Sequence, residues 1–233
     1  MYKRQVDDLV EEQKGVAVRQ DRLDLFARQG GHVPVESSGG GAARDSLHAE
    51  RVEPLLKGRF GRPYTFFERV ESTQRELAAD APEGAVVATD EQTAGRGRLG
   101  RPWFAEPGTS LLFSLNLRPA VETPRLPELS ILAGRAAAEG ILRVTGVTPE
   151  IKLPNDLLLG GRKLAGILAE ARDGRVVLGL GINVNTAPED LPREVDREPT
   201  SLLAEVGAPV DRAVLLAAIL LELELRYDPW VTG

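Results

Sequence analysis

Apolar and polar residues are spaced differently on the two sides of residue 46. Before it, VDDLVEEQKGVAVRQDRLDLFARQG has only a weak helical spacing and runs into ESSGGGAARDS, whose Gly/Ser content predicts a flexible linker. Residues 1–46 are therefore read as an appendage to a main domain over 47–233. From Leu47 the pattern tightens. LHAERVEPLLKG predicts a short helix ended by Gly58, and YTFFERV predicts a strand. STQRELAAD predicts a helix capped by Ser72 or Thr73, with Glu76 in its first turns. GAVVATDEQ and SLLFSLNLRP read as strands on either side of a glycine-rich loop. Leu129, Leu132, Ala133, Ala136, Ala137 and Ile141 fall on one face of a helix from about Glu128 to Val144, which predicts packing on a sheet. PEIKLP, then NDLLLGGRKLAGILAEA with a turn at Gly160-Gly161, then GRVVLGLGINVN predict further strands. Helices around Thr200 to Glu205 and Arg212 to Tyr227 follow. Hairpins combined with segregated helices predict an α+β fold, a mixed or antiparallel sheet flanked by helices, and not a βαβ repeat.

Composition narrows the chemistry. With 233 residues, 42% hydrophobic and 27% charged, the chain is ordinary for a globular protein, and its net charge of -6 argues against broad nucleic-acid binding. The longest apolar run, Ala213 to Leu221, is too short to span a bilayer, and MYKRQVDDLVEEQK lacks the apolar core of a signal peptide, so a cytoplasmic location is expected. There is no cysteine, which removes disulfides, thiolate nucleophiles and Cys-ligated metals. The two histidines, His32 and His48, lie ahead of the strongly patterned segments, which argues against a His-based triad or zinc site. Lys, Arg, carboxylates, amides and backbone are left, a set suited to positioning and charge stabilisation in phosphoryl or nucleotidyl transfer.

The loop TAGRGRLGRPW, Thr93 to Trp103, sets Arg96, Arg98 and Arg101 among Gly95, Gly97 and Gly100. These glycines satisfy GxGxxG, but Pro102, Pro107 and Gly108 prevent the helix that a dinucleotide fingerprint needs. A solvated turn is one reading. The other is a cationic loop whose forked side chains and backbone amides surround one anion from several directions.

Five segments, in order, resemble the biotin protein ligases: ESTQ (71–74), DEQTAGRGRLGRPW (90–103), IKLPNDLLL (151–159), RKLAGILAE (162–170) and GLGINVN (179–185). The resemblance covers the chain from about Leu47 and implies a catalytic domain like that of class II aminoacyl-tRNA synthetases. It implies that biotin and ATP, with Mg²⁺, give biotinyl-5′-AMP, and that the biotinyl group passes to a lysine of a biotin carboxyl carrier protein. By motif, Ser72, Thr73, Gln74 and Gln92 would bind biotin, although the first three also suit a helix N-cap. Arg96, Gly97 and Arg98 would close over biotin and the adenylate, with Arg101 toward the ATP phosphates. Trp103 would border the adenine or pack into the core. Lys152 and Arg96 would act catalytically, Lys152 on the reacting carboxylate and α-phosphate. Lys163 would bind the biotin carboxylate, and Gly166 would leave room for the ligand. Asn155, Asp156 and Asn183 would line the nucleotide side, with Asp156 in indirect contact with Mg²⁺ and no direct metal ligand. Each has a plainer reading: an Asx turn for Asn155 and Asp156, a hairpin lysine for Lys163, a strand end for Asn183.

The sequence departs from the family pattern at several points. Leu153 stands where tryptophan is common, and Gln74 where asparagine is frequent. Residues 1–46 do not resemble a winged helix-turn-helix, so no operator-DNA binding is expected. The small SH3-like domain usual after the catalytic domain is expected to be absent or truncated. A homodimer is left open. Rival readings are a lipoate- or octanoyl-type transferase of the same fold, a non-catalytic biotin-binding module, and an RNA-binding module using the Arg/Gly loop.

Overall fold

A computed structural model describes residues 45–120, 125, 127–192 and 197–232. The expectations for residues 1–44 lie outside them. Seven strands form one sheet: β1 (Tyr64–Val70), β2 (Val86–Gln92), β3 (Ser110–Leu117), β4 (Glu150–Lys152), β5 (Asp156–Leu159), β6 (Arg162–Arg172) and β7 (Arg175–Asn183), in the order β1-β2-β3-β7-β6-β5-β4. Only β1 and β2 run parallel; the other pairs are antiparallel, so the sheet is mixed, as expected. Gly160 and Gly161 turn β5 into β6 with φ of 58° and 76°, the left-handed pair that a two-residue hairpin requires.

The helices are α1 (Ala49–Val52), α2 (Thr73–Glu76), α3 (Glu128–Thr145), α4 (Leu202–Val206) and α5 (Arg212–Thr232). α3 and α5 pack on each other so closely that a Cβ on Gly140 would lie 2.7 Å from Ile219 Cγ1. Together they cover one face of the sheet. Leu111, Phe113 and Leu115 of β3 and Leu178, Leu180 and Ile182 of β7 join Leu132, Ala136, Leu216 and Leu220 in that core. Alternation then sends Ser114, Gly179 and Gly181 to the opposite face, where the site forms.

Three helix expectations need correcting. α1 gives way at Glu53–Leu55 to a 3-10 turn containing Pro54, which ends it before Gly58. α2 stops at Glu76 instead of reaching Asp80, and Ser72 occupies its N-cap position without a side-chain cap bond. Leu77 turns to extended backbone, with ψ 108°, and the buried Arg175 holds the chain there, donating to Leu77 O at 3.2 Å and Ala78 O at 2.6 Å. α5 runs to Thr232, past the expected Tyr227, because Tyr227 and Trp230 bury themselves beside Phe60 and Glu128.

Two tyrosines fix an alkaline limit. Burial, then the Asp90 carboxylate, raises the Tyr64 phenol, whose hydroxyl donates to Leu47 O at 2.7 Å. Burial and a hydrogen bond to Glu83 raise Tyr227 as well. The unfolded phenols therefore lose their protons first as pH rises through the ordinary value of 10.0, so stability is full below that pH and falls above it. Melting temperature followed from pH 8 to 11 should drop above about pH 10, and Tyr64→Phe or Tyr227→Phe should each flatten the drop. Equal slopes in wild type and both variants would remove the tyrosines as its cause.

Candidate active site

On the face away from α3 and α5, three glycines of β6 and β7 replace the side chains that would otherwise fill it. Gly166 and Gly181 are direct cross-strand partners, and Gly179 sits opposite Leu168. A Cβ on Gly181 would lie 2.6 Å from Trp103 Cε2, and one on Gly166 would lie 2.9 Å from Trp103 Cζ3. A Cβ on Gly179 would lie 2.7 Å from Gln74 Nε2. The glycine positions therefore form a floor, and Trp103 and Gln74 stand directly on it. A cavity of about 610 Å³ opens there, a size usual for small-molecule sites.

One end of the cavity is polar. Thr73 donates its backbone N–H to Gln92 Oε1 at 2.9 Å, and its hydroxyl lies 3.2 Å from the same oxygen and 2.7 Å from Ser114 Oγ. Gln74 Nε2 reaches across to Leu168 O at 3.0 Å. The short α2 presents these residues because Arg175 holds the chain just beyond it.

The other end is cationic. The arginine loop is a small hairpin: Arg96 bridges to Pro102, Gly97 N donates to Arg101 O at 2.7 Å, and Trp103 N to Gly95 O at 2.9 Å. Gly95 is required by close approach, since a Cβ there would lie 2.6 Å from Trp103 O. At the tip Leu99 adopts φ 59° and is 88% exposed, an uncommon backbone state for a non-glycine residue. Arg98 Nη1 spans the cavity to Asn155 Oδ1 at 3.2 Å, so the hairpin lies over the mouth. Asn155 is itself anchored to Ile167 through its amide nitrogen at 3.2 Å and its carbonyl at 2.9 Å. Lys163 Nζ lies 3.8 Å from Asp156 Oδ1 and 5.4 Å from the Trp103 ring centroid. The Trp103 indole Nε1 is buried without a hydrogen-bond partner among the described residues. In a protein interior such a donor is costly unless something accepts from it, which marks this slot as one meant to be filled.

Ser72, Thr73, Gln74, Gln92, Arg96, Gly97, Arg98, Arg101, Trp103, Asn155, Asp156, Lys163 and Gly166 thus line one cavity. Two of the residues singled out in the sequence do not. Asn183 is buried and gives its amide to Thr200 O at 2.9 Å, which ties β7 to the start of α4 and leaves the Asn183 side chain off the cavity wall. Lys152 ends the edge strand β4, exposed and outside the lining, although its register with Asp156 and through it with Gly166 puts it on the cavity's face of the sheet. Sequence reasoning missed Ser114, Gly179, Gly181 and Phe104. The alternating glycines of GLGIN and the serine inside SLLFSLNL carried the signal, but their facing depends on which side the helices cover. Among the described residues no group of three or more His, Asp or Glu is placed to hold a metal ion, and no helix is long and apolar enough to cross a membrane.

Fold and site define an α+β domain with a small-molecule-sized cavity between a polar end and a cationic hairpin. The sequence profile of the biotin/lipoate A/B protein ligase family matches residues 66–186. The chain belongs to that family. It is similar to the bifunctional ligase/repressor BirA of Bacillus subtilis, 41% identical over 181 residues, covering 74% of this chain and 56% of that protein. It is also similar to the biotin–[acetyl-CoA-carboxylase] ligase of Mycobacterium tuberculosis, 41% identical over 169 residues, covering 68% of this chain and 62% of that one. Among solved structures, the biotin protein ligase of Aquifex aeolicus in complex with biotin and ATP superposes with a TM-score of 0.66 at 30% identity, covering 72% of this chain and 71% of that one. The chain spans between half and two thirds of the length of the two curated relatives.

Proposed function

We propose that residues 47–233 are the catalytic domain of a biotin protein ligase, which activates biotin with ATP to biotinyl-5′-AMP and passes the biotinyl group to a lysine of a biotin carboxyl carrier protein in the cytoplasm. The observation that carries this reading is the cavity's polarity: hydroxyls and amides at one end, a glycine and indole slot in the middle, cations at the other. A bicyclic urea with an apolar chain ending in a carboxylate has the same order of chemistry. Ser72, Thr73, Gln74 and Gln92 take the ureido group, with Ser114 added to them from β3. Lys163 and the hairpin arginines take the carboxylate and the phosphates.

Activation needs no protein base. A carboxylate oxygen attacks the α-phosphorus of ATP, the bond to the β-phosphate oxygen breaks, and pyrophosphate leaves with its electron pair. Alignment and cations beside the developing charge suffice. Arg96 and Arg98 cover the mixed anhydride and keep water from it, and Arg101 faces the phosphates. Lys152, at the rim beside Asp156, is assigned to the reacting carboxylate and α-phosphate from outside the lining. Trp103, Asn155 and Asp156 border the nucleotide. Among the described residues Asp156 is the one carboxylate lining the cavity, so it fits Mg²⁺ delivered on phosphate oxygens better than a cage built by the protein. The ion would neutralise phosphate charge. In the second step the carrier lysine amine attacks the acyl carbon, AMP leaves, and the amine gives up a proton.

The lipoate-type alternative is disfavoured by the polar end. A dithiolane ring would offer the Thr73, Gln92 and Ser114 groups no hydrogen bonds, and a site built to bond a polar ring discriminates against the analogue that lacks those groups. Pyrophosphate release from ATP and Mg²⁺ should therefore depend on biotin and fail with lipoate. The opposite preference would overturn the assignment. Arg98→Ala removes the contact to Asn155 that bridges the mouth, so release of biotinyl-5′-AMP should accelerate about tenfold while melting temperature changes little, since the loop is exposed. Single-turnover trapping of the intermediate measures this, and a wild-type release rate would remove Arg98 from the lid.

A further inference from the structure

Away from the cavity, a second polar cluster gathers around Arg212, the first residue of α5, whose side chain is only 4% exposed. Its Nε donates to both carboxylate oxygens of Asp45 at 3.0 Å, and its Nη2 to Asp45 O at 2.8 Å. Its Nη1 donates to Asp90 Oδ1 at 2.8 Å and to Ser110 O at 3.1 Å. The backbone N–H of Arg212 adds a bond to Asp45 Oδ1 at 2.9 Å. All three guanidinium nitrogens are used, in a planar fork that an ammonium group cannot imitate.

What these acceptors have in common is their place in the chain. The segment carrying the cationic hairpin leaves the sheet at Gln92 and rejoins it at Ser110. Asp90 lies just before its departure, and Ser110 is its point of return. Gly108 N also donates to Asp90 O at 3.0 Å, which closes the base of the loop. The opposite wall, which brings Pro192 to the cavity, leaves β7 after Asn183. Asn185 in that wall donates through Nδ2 to Asp45 Oδ2 at 3.0 Å and through its backbone N–H to Thr109 O at 2.7 Å. One buried guanidinium therefore ties both ends of the hairpin loop and, through Asp45, the root of the facing wall.

We propose that Arg212 is a positioning residue: its fork on Asp45, Asp90 and Ser110 sets the base from which the cationic hairpin lies over the site. At the hairpin's tip Leu99 is 88% exposed and Arg98 reaches across to Asn155, so its placement depends on that crossing and on its base. Loosening the base lets the tip open without unfolding the sheet, as expected where a segment's local stability is low.

Trypsin supplies a test that does not require catalysis. It cleaves after Arg96 and Arg98 in the hairpin, the Arg101-Pro102 bond being resistant, and after Arg172 in the exposed β6–β7 turn. In Arg212→Lys and Asp45→Asn, cleavage in the hairpin should rise about tenfold at a temperature well below melting, and cleavage at Arg172 should not change. Unchanged hairpin cleavage, or equal acceleration at all three sites, would overturn the proposal. If Arg212→Lys does not fold, Asp45→Asn, which keeps the guanidinium, decides the question. A second readout rests on the ligase reading: the bound biotinyl-5′-AMP should be released faster in both variants, and Arg212→Lys should lose more than Asp45→Asn. If wild type released no pyrophosphate, the ligase reading would fail while the cleavage pattern still judged the role of Arg212.

Discussion

Replacing Gly181 by alanine should weaken biotin binding about tenfold to a hundredfold while leaving the fold intact. The added methyl would sit 2.6 Å from Trp103 Cε2 and 2.8 Å from Nε1, inside the contact distance of a rigid ring. No flexible chain end can bend away, so the indole must slide along the floor into the slot. Overpacking of this kind costs about 1–3 kcal/mol, which sets the range of the expected loss. The strand itself should tolerate the change, because alanine also narrows the unfolded ensemble and partly offsets the clash. Titration calorimetry with biotin, beside a thermal melt, measures both. Trp103→Ala in the same chain should remove most of the added effect of Gly181→Ala, since the two positions act through one contact. Unchanged affinity in Gly181→Ala would mean that the indole does not border the biotin slot.

Lys163→Ala should lower kcat/KM for biotin-dependent pyrophosphate release about tenfold to a hundredfold, the loss expected for one charge-assisted hydrogen bond to a carboxylate. In the structure Lys163 stands between the Asp156 carboxylate and the face of Trp103, held by β6 at the cationic end of the cavity. The discriminating comparison uses biotinol, which has the same ring and chain but no carboxylate. Its affinity should be almost the same in wild type and Lys163→Ala, whereas that of biotin should fall. Equal losses for both ligands would show that the lysine acts by shaping the cavity and not by meeting the acid. Arg96 and Arg98 approach from the hairpin and Lys163 from the sheet, so the carboxylate would have cations on two sides and little room for water.

The structure also gives the glycines of GRGRLG a plainer reason than phosphate binding. Gly95 permits the backbone of Trp103 to come close, and the left-handed turn at Leu99 and Gly100 reverses the hairpin. The match to GxGxxG is thus a by-product of a tight hairpin. The side chains, not the backbone amides of a helix N-terminus, present the positive charge.

Period-two and helical spacing sufficed to place every strand and the long α3, because burial on one face imposes those periods on any sheet or amphipathic helix. The cationic loop was legible because its arginines and glycines disagree with a packing pattern, whereas the polar opening of α2 and Lys163 stood out only through the resemblance of ESTQ and RKLAGILAE to the family's motifs. Lys152 and Asn183 looked equivalent to their neighbours in the same motifs, yet one ends an exposed edge strand beyond the cavity lining and the other is taken by Thr200 O. The glycine floor was written in the sequence as LGLGI, but nothing local says which face of β7 meets helices and which meets a ligand. Only the packing of α3 and α5 decides that. The Arg212 knot lay beyond sequence reasoning altogether, since it joins residues 45, 90, 110 and 212 through space, and a buried charge is recognisable only when the partners that repay its desolvation are seen around it.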